Sequence, residues 1–187
     1  RTQLSNLNIF RKNDIRGFIT AKGELKGKIT DPDISINFNV DYPHFKGIRI
    51  REIWEGDIKN KNDRFLLNMK NRYSPIPSFL SIKFDSNLRL DNVSFSRIYN
   101  SNKGSIELFK ENNSYIWTAN NFPLDELELS LSKNQFDRVN GIINGGGSIS
   151  LDLSNLDGRL AWSLGKYRNI KLANLSLIHI SEPTRHD

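Results

Sequence analysis

Apolar and polar residues alternate along most of this chain. Ile34, Ile36, Phe38 and Val40 alternate with Ser35, Asn37 and Asn39. Leu80, Ile82 and Phe84 alternate with Ser81 and Lys83, and Leu127, Leu129 and Leu131 with Glu128 and Ser130. Ile149, Leu151 and Leu153 alternate with Ser150 and Asp152, and Leu160, Trp162 and Leu164 with Ala161 and Ser163. Period two puts each apolar set on one face of a β-strand. The register shifts by one near Ile48, Ile50 and Ile53, which predicts a bulge. Turn residues separate the strands at Asp31-Pro32-Asp33, Asn60 to Asp63, Ser74 to Pro77, Asn112-Asn113, Asn120 to Pro123 and Asp157-Gly158. No segment carries a convincing helical period; the one expected exception is a short turn of helix from Ser94 to Tyr99.

Many one-sided strands without helices to cover them pose a packing problem. Each Leu or Phe left in water forgoes roughly 1.5–3 kcal/mol. Three arrangements solve it. The apolar faces meet in a sandwich or barrel. The sheet coils into a solenoid with a filled core. Or it curls into a trough whose lining is covered by an apolar ligand such as an acyl chain.

The glycine-rich run from Gly141 to Gly147 raises a question of chemistry. A P-loop needs Gly-Lys followed by Ser or Thr, whereas Gly27-Lys28 precedes Ile29 and Gly165-Lys166 precedes Tyr167. A dinucleotide fingerprint needs a third glycine and a helix, but Ser150 stands in that place within a strand pattern. The glycines are therefore read as a tight turn or a close approach of two backbones. The run has an echo: GFITAKGELKGKI from Gly17 matches GIINGGGSISLDL from Gly141, with Gly23 and Gly147 at one offset. A repeat array is the reading to test first.

Charge and composition change little. The chain has 187 residues, enough for about one domain. Its net charge of +6 is scattered, not clustered, and is read as a solvated polar face with no nucleic-acid partner and a weak pull toward anionic membranes. With no cysteine there is no disulfide and no thiolate metal site. The tail LSLIHISEPTR, Leu175 to Arg185, reads as the translation of a common transposase sequencing adapter, so residues 175–187 are expected to be foreign and residues 1–174 an internal piece of a longer gene. His179 and His186 go with the tail, leaving His44 beside Tyr42, Pro43 and Phe45 as a turn or packing residue. Asp31 and Asp33 bracket a proline, and Asp125, Glu126 and Glu128 lie on or next to one polar strand face; both groups are read as solvated rather than as a glycosidase pair. No nucleophile elbow surrounds Ser148. Trp54 and Trp117 are of a type that stacks on sugars or bases, while Trp162, between Leu160 and Leu164, is read as core or groove lining. Neither enzyme activity, nor a cofactor, nor a metal is expected.

One pattern carries a family resemblance. In ELKGKITDPDISINF, residues Leu25, Gly27, Ile29, Pro32, Ile34 and Ile36 give apolar, x, Gly, x, apolar, then Pro, then an alternating strand. With IWTANNFPLDELELSLSKNQFDRVNGIINGGGSISLDL, Ile116 to Leu153, this resembles the TamB family in its cyanobacterial and chloroplast-like branch, which is similar to the AsmA-like bridge lipid transfer proteins. The resemblance covers most of residues 17–174. It implies an all-β, elongated, curled antiparallel or solenoid-like sheet forming an apolar groove (a β-taco) with few or no helices. It implies phospholipid acyl chains as ligand, transfer between inner and outer membranes, and support of outer-membrane protein assembly. It places the full-length protein in the periplasm or an intermembrane space, anchored by an N-terminal helix in the inner membrane and meeting an Omp85-type barrel through a C-terminal part, both outside this chain. The expected lining is Leu127, Leu129, Leu131, Ile149, Leu151, Leu153, Leu160, Trp162 and Leu164, and the turn or repeat motif is Gly17, Gly23, Gly27, Pro32, Gly141 and Gly147. The alternatives are a closed β-solenoid or sandwich with a structural, adhesive or binding role, and a trough that holds unfolded barrel strands by edge pairing.

Overall fold

The computed structural model describes residues 1–6, 15–28, 31–45, 48–50, 52–61, 64–125, 127–132, 135–151, 155–167, 170–171 and 175–178. Among these, fifteen strands form one sheet, a single 3-10 turn spans Leu4–Asn6, and there is no α-helix. The strands are β1 (Thr2–Gln3), β2 (Ile15–Lys28), β3 (Asp31–Phe45), β4 (Ile48–Ile50), β5 (Ile53–Lys61), β6 (Arg64–Arg72), β7 (Ser78–Phe84), β8 (Leu90–Tyr99), β9 (Asn102–Glu111), β10 (Ser114–Pro123), β11 (Leu127–Ser132), β12 (Gln135–Ser150), β13 (Leu156–Tyr167), β14 (Ile170–Lys171) and β15 (Leu175–Ile178). Every ladder between them is antiparallel. The expected all-β class and antiparallel sheet are what is observed.

Turn chemistry sets the hairpins. The Asp85 carboxylate accepts from the backbone N–H groups of Asn87 at 2.9 Å and Arg89 at 2.8 Å, closing the β7–β8 turn. Asn112, with φ of 51°, turns β9 into β10. Three expected turns prove to be strand, the first being Asn120 to Pro123, which ends β10 across a bulge between Ala119 and Phe122. Asp31, Pro32 and Asp33 begin β3, opposite Lys28, Gly27 and Lys26. Asp157 and Gly158 lie inside β13, where Gly158 is needed because a Cβ there would meet the Trp117 ring at 2.6 Å. The expected helical turn from Ser94 to Tyr99 is also strand, the second half of β8. Its alternation is masked because Arg97 stands where an apolar residue would continue Val93 and Phe95.

The ladder closes on itself. From β3 the pairing runs through β5, β6, β7, β8, β9, β10 and β12, then back through β11 and β4 to β3. The predicted bulge between Ile50 and Ile53 makes this possible. It splits one strand into β4, which pairs with β11, and β5, which pairs with β6. The meander β6–β9 is thus inserted on one side of a direct β4–β11 contact. Ring packing gives the sharpness of the bend. Trp54 on β5 and Phe95 on β8 lie three strands apart, about 14 Å in a flat sheet, yet their ring centroids are 6.1 Å apart. Phe95 and Phe122, on β8 and β10, are 5.0 Å apart. The face carrying these rings is concave.

Two apolar clusters sit on that face. Leu4, Phe38 and Val40 form one, with Ile19, Ile58 and Leu67 against it. Phe122, Leu127 and Val139 form the other at the closure, with Ile50, Phe95 and Trp162. β13 lies on the far edge of β12 and carries β14 and β15. Four residues of the adapter-like tail make β15; an open edge pairs with extended chain of alternating apolarity whatever its origin.

Candidate apolar binding face

Register places the apolar residues in rows across the strands. One row runs Ile36, Ile58, Leu67, Ile82, Val93, Leu108 and Trp117, each opposite the next on the neighbouring strand. All seven are half-buried. The adjacent row toward the closure contains Phe38, Met69, Leu80, Phe95, Ile106 and Ala119. Beyond the first row, away from the closure, lie Leu25, Ile34, Phe65 and Phe84. Exposure grows in that direction: Trp54 is 3% exposed near the closure, and Leu25 is 72% exposed at the opposite end. A dry cluster at one end thus gives way to aliphatic surface that the protein itself covers only partly.

The row at the closure changes character. Asn71, Ser78 and Arg97 succeed one another across β6, β7 and β8. Asn71 donates to the Ile76 carbonyl at 2.9 Å and accepts from the Ser78 N–H at 2.8 Å. Arg97, 1% exposed, donates through Nε to Ser78 Oγ at 3.2 Å and through Nη1 to the Pro123 carbonyl at 2.7 Å. Its guanidinium lies 5.9 Å from the centre of the Phe122 ring. The last bond joins β8 to β10 across β9, so Arg97 braces the tightest part of the bend. Nothing in the alternation signalled this role; a lone Arg in an apolar register is the trace it left.

Carboxylates correct one expectation. Glu128 is not solvated: it is 3% exposed and accepts from Nε and Nη2 of Arg49, both at 2.6 Å. That pair crosses β4 and β11, the ladder that closes the sheet. Among the described residues no group of three or more His, Asp or Glu is placed to hold a metal.

The expected lining residues divide. Ile149 and Leu160 lie half-buried on the apolar face. Trp162 is half-buried against the closure cluster and donates from Nε1 to the Asn140 carbonyl at 3.0 Å. Leu127 is buried in that cluster, a core residue rather than an accessible wall. Leu129 and Leu131 are in β11, Leu129 opposite Ile48, with side chains outside the description; Leu153 lies outside the described residues. Leu164 leaves the face altogether. A bulge opposite Gly141 gives it φ of 53° and turns it outward, 76% exposed. Leu151 falls in the turn after β12 and is 41% exposed. The face instead depends on Ile58, Leu67, Val93, Leu108 and Trp117, whose short alternations were diluted by neighbours such as Phe109 on the opposite face.

The glycine motif is resolved. Gly145 and Gly147 are strand residues, and a Cβ on Gly147 would overlap the Asp157 carbonyl oxygen of β13. Of the two roles expected, close backbone approach is the observed one. A Cβ on Gly23 would instead meet the Ile36 side chain at 2.8 Å, and Gly27, with φ of 90°, pairs with Pro32 near the end of the β2–β3 hairpin.

Two hollows lie away from the closure. One of about 230 Å³ is bounded by Trp117, Leu156, Gly158, Arg159 and Leu160, on the apolar side. The other, about 500 Å³, lies among Asn37, Asn39, Glu55, Asp57 and Lys70 on the polar side. Its two carboxylates are already paired, Glu55 with Lys70 at 3.1 Å and Asp57 with Lys59 at 3.3 Å. The apolar face is therefore the stronger candidate. Among the described residues no helix is long and apolar enough to cross a membrane. Comparison with protein-family models, curated proteins and solved structures finds no match.

Proposed function

We propose that this chain is a segment of a TamB-like β-groove whose apolar concave face holds phospholipid acyl chains. The observation that carries the reading is the row from Ile36 to Trp117, half-buried on seven successive strands and bordered by no covering layer among the described residues. Each methylene laid against such a row and removed from water contributes about 0.8 kcal/mol. The force is non-directional, so a chain slides without leaving a preferred pose. Headgroups stay at the exposed end, near Leu25, while the cluster with Arg97 and Phe122 seals the other.

The larger role follows the resemblance: passage of phospholipid between two membranes and support of barrel assembly, in a periplasmic or intermembrane space. The chain contributes no catalytic group to it. Inner-membrane anchoring and contact with an Omp85-type barrel belong to other parts of such a protein. Native mass spectrometry of the protein purified from a bacterial lysate tests the binding step. Phospholipid adducts are expected, and Val93→Asp, which puts a charge in the middle of the row, should remove them while the β-type circular dichroism persists. Loss of folding with Val93→Asp, and no adduct on the parent protein, would instead mark a closed structural core.

A further inference from the structure

The two glycine echoes extend into a repeated register. In the β2–β3 hairpin Gly17, at φ of 130°, sits between the pairs Arg16–His44 and Phe18–Asp41, opposite Tyr42 at φ of 52° and Pro43. In the β12–β13 hairpin Gly141, at φ of 115°, sits between Asn140–Lys166 and Ile142–Ser163, opposite Leu164 at φ of 53° and Gly165. Each is one residue against two, with the same backbone handedness on both strands. The elements before and after repeat as well. Thr2 and Gln3 pair with Ile19 and Phe18 and lead to Leu4; Phe122 and Pro123 pair with Ile143 and Ile142 and lead to Leu124. Ile48 and Arg49 pair with Phe45 and His44; Ile170 and Lys171 pair with Tyr167 and Lys166. Even the clusters correspond, Leu4 with Ile19 and Val40 in one, Leu124 with Ile143 and Trp162 in the other.

The copies differ at one edge. β4 has a second neighbour, β11, whose Leu127, Glu128 and Leu129 pair with Ile50, Arg49 and Ile48. Among the described residues β14, its counterpart, pairs with β13 alone. β11 directly precedes the second hairpin, so the strand that closes the first copy opens the second. Lys171 holds the register position of Arg49, again a cation.

We propose that the open edge of β14 is the docking edge for a strand of apolar–acidic–apolar pattern, the β11 of a further copy of this unit. A carboxylate at its centre takes the register position opposite Lys171, as Glu128 lies opposite Arg49. Successive units are then joined by backbone ladder rather than by a flexible linker, and one sheet runs through them.

Disulfide trapping tests this, because the chain has no cysteine of its own. The chain is extended after residue 172, which holds the position of Ile50, with a second copy of residues 51–167. Directly opposite residues on antiparallel strands have Cβ atoms about 4.5–5.5 Å apart, within reach of a bridge after small adjustment. As the control, Arg49→Cys with Glu128→Cys of the original segment forms a bond on mild oxidation. The expected result is an equally efficient intrachain bond between Lys171→Cys and the added segment's Glu128→Cys. The proposal is overturned if the control bond forms and this one does not. It is overturned too if a cysteine at the added segment's Asp125 traps equally well, or if the bond forms only between separate molecules.

Discussion

At the scale of single residues, glycine and arginine set the shape of this protein. Gly147 has no room for a side chain, because the β13 backbone occupies the space where its Cβ would stand. Gly147→Ala forces backbone apart and should lower stability by about 1–3 kcal/mol in urea unfolding. Gly146→Ala, whose Cβ would meet the nearest backbone atom, the Trp117 carbonyl oxygen, at 3.2 Å and needs a shift of only a few tenths of an ångström, should lose less. Equal losses at the two positions would mean that β13 does not approach as described. The residue type was legible in the sequence here: a glycine in an alternating pattern signals either a bend or a close neighbour, and only the pairing decides between them. Glu128 was misread for a related reason. Its carboxylate looks solvated on its own strand, and the Arg49 that buries it arrives from a distant part of the chain.

At the scale of elements, alternation located strands well where it was long and clean, as in β3 and β7. It failed where a bulge reset the face. Leu160, Trp162 and Leu164 look equivalent by period two, yet the bulge at Gly141 sends Leu164 outward. It also failed in β8, where Arg97 interrupts the apolar run because the bend needs a donor that reaches Ser78 and Pro123. A pair of truncations separates the two kinds of leucine. Leu127→Ala removes a buried part of the closure and should cost about 2–5 kcal/mol. Leu164→Ala should change stability by no more than about 0.5 kcal/mol. Thermal unfolding of both variants checks the contrast, and a large loss at Leu164 would contradict the bulge.

At the scale of the whole molecule, the all-β class followed from the alternation and from the absence of helical periods, but the closure did not. It joins Ile48–Ile50 to Leu127–Leu129, and three-residue pairings over that separation leave no periodic trace. What remains exposed on the concave side after closure is the basis of the functional reading, and tryptophan reports on it directly. Trp54 lies in the dry cluster near the closure, and Trp117 stands in the half-buried row beside the apolar hollow. The decisive measurement is fluorescence of two single-tryptophan variants, each folded by circular dichroism, mixed with phospholipid brominated along its acyl chains. Bromine quenches only on close contact. If the face holds acyl chains, Trp117 emission falls and Trp54 emission does not. If neither is quenched while the protein stays folded, the apolar row is not a lipid site and the groove reading is wrong.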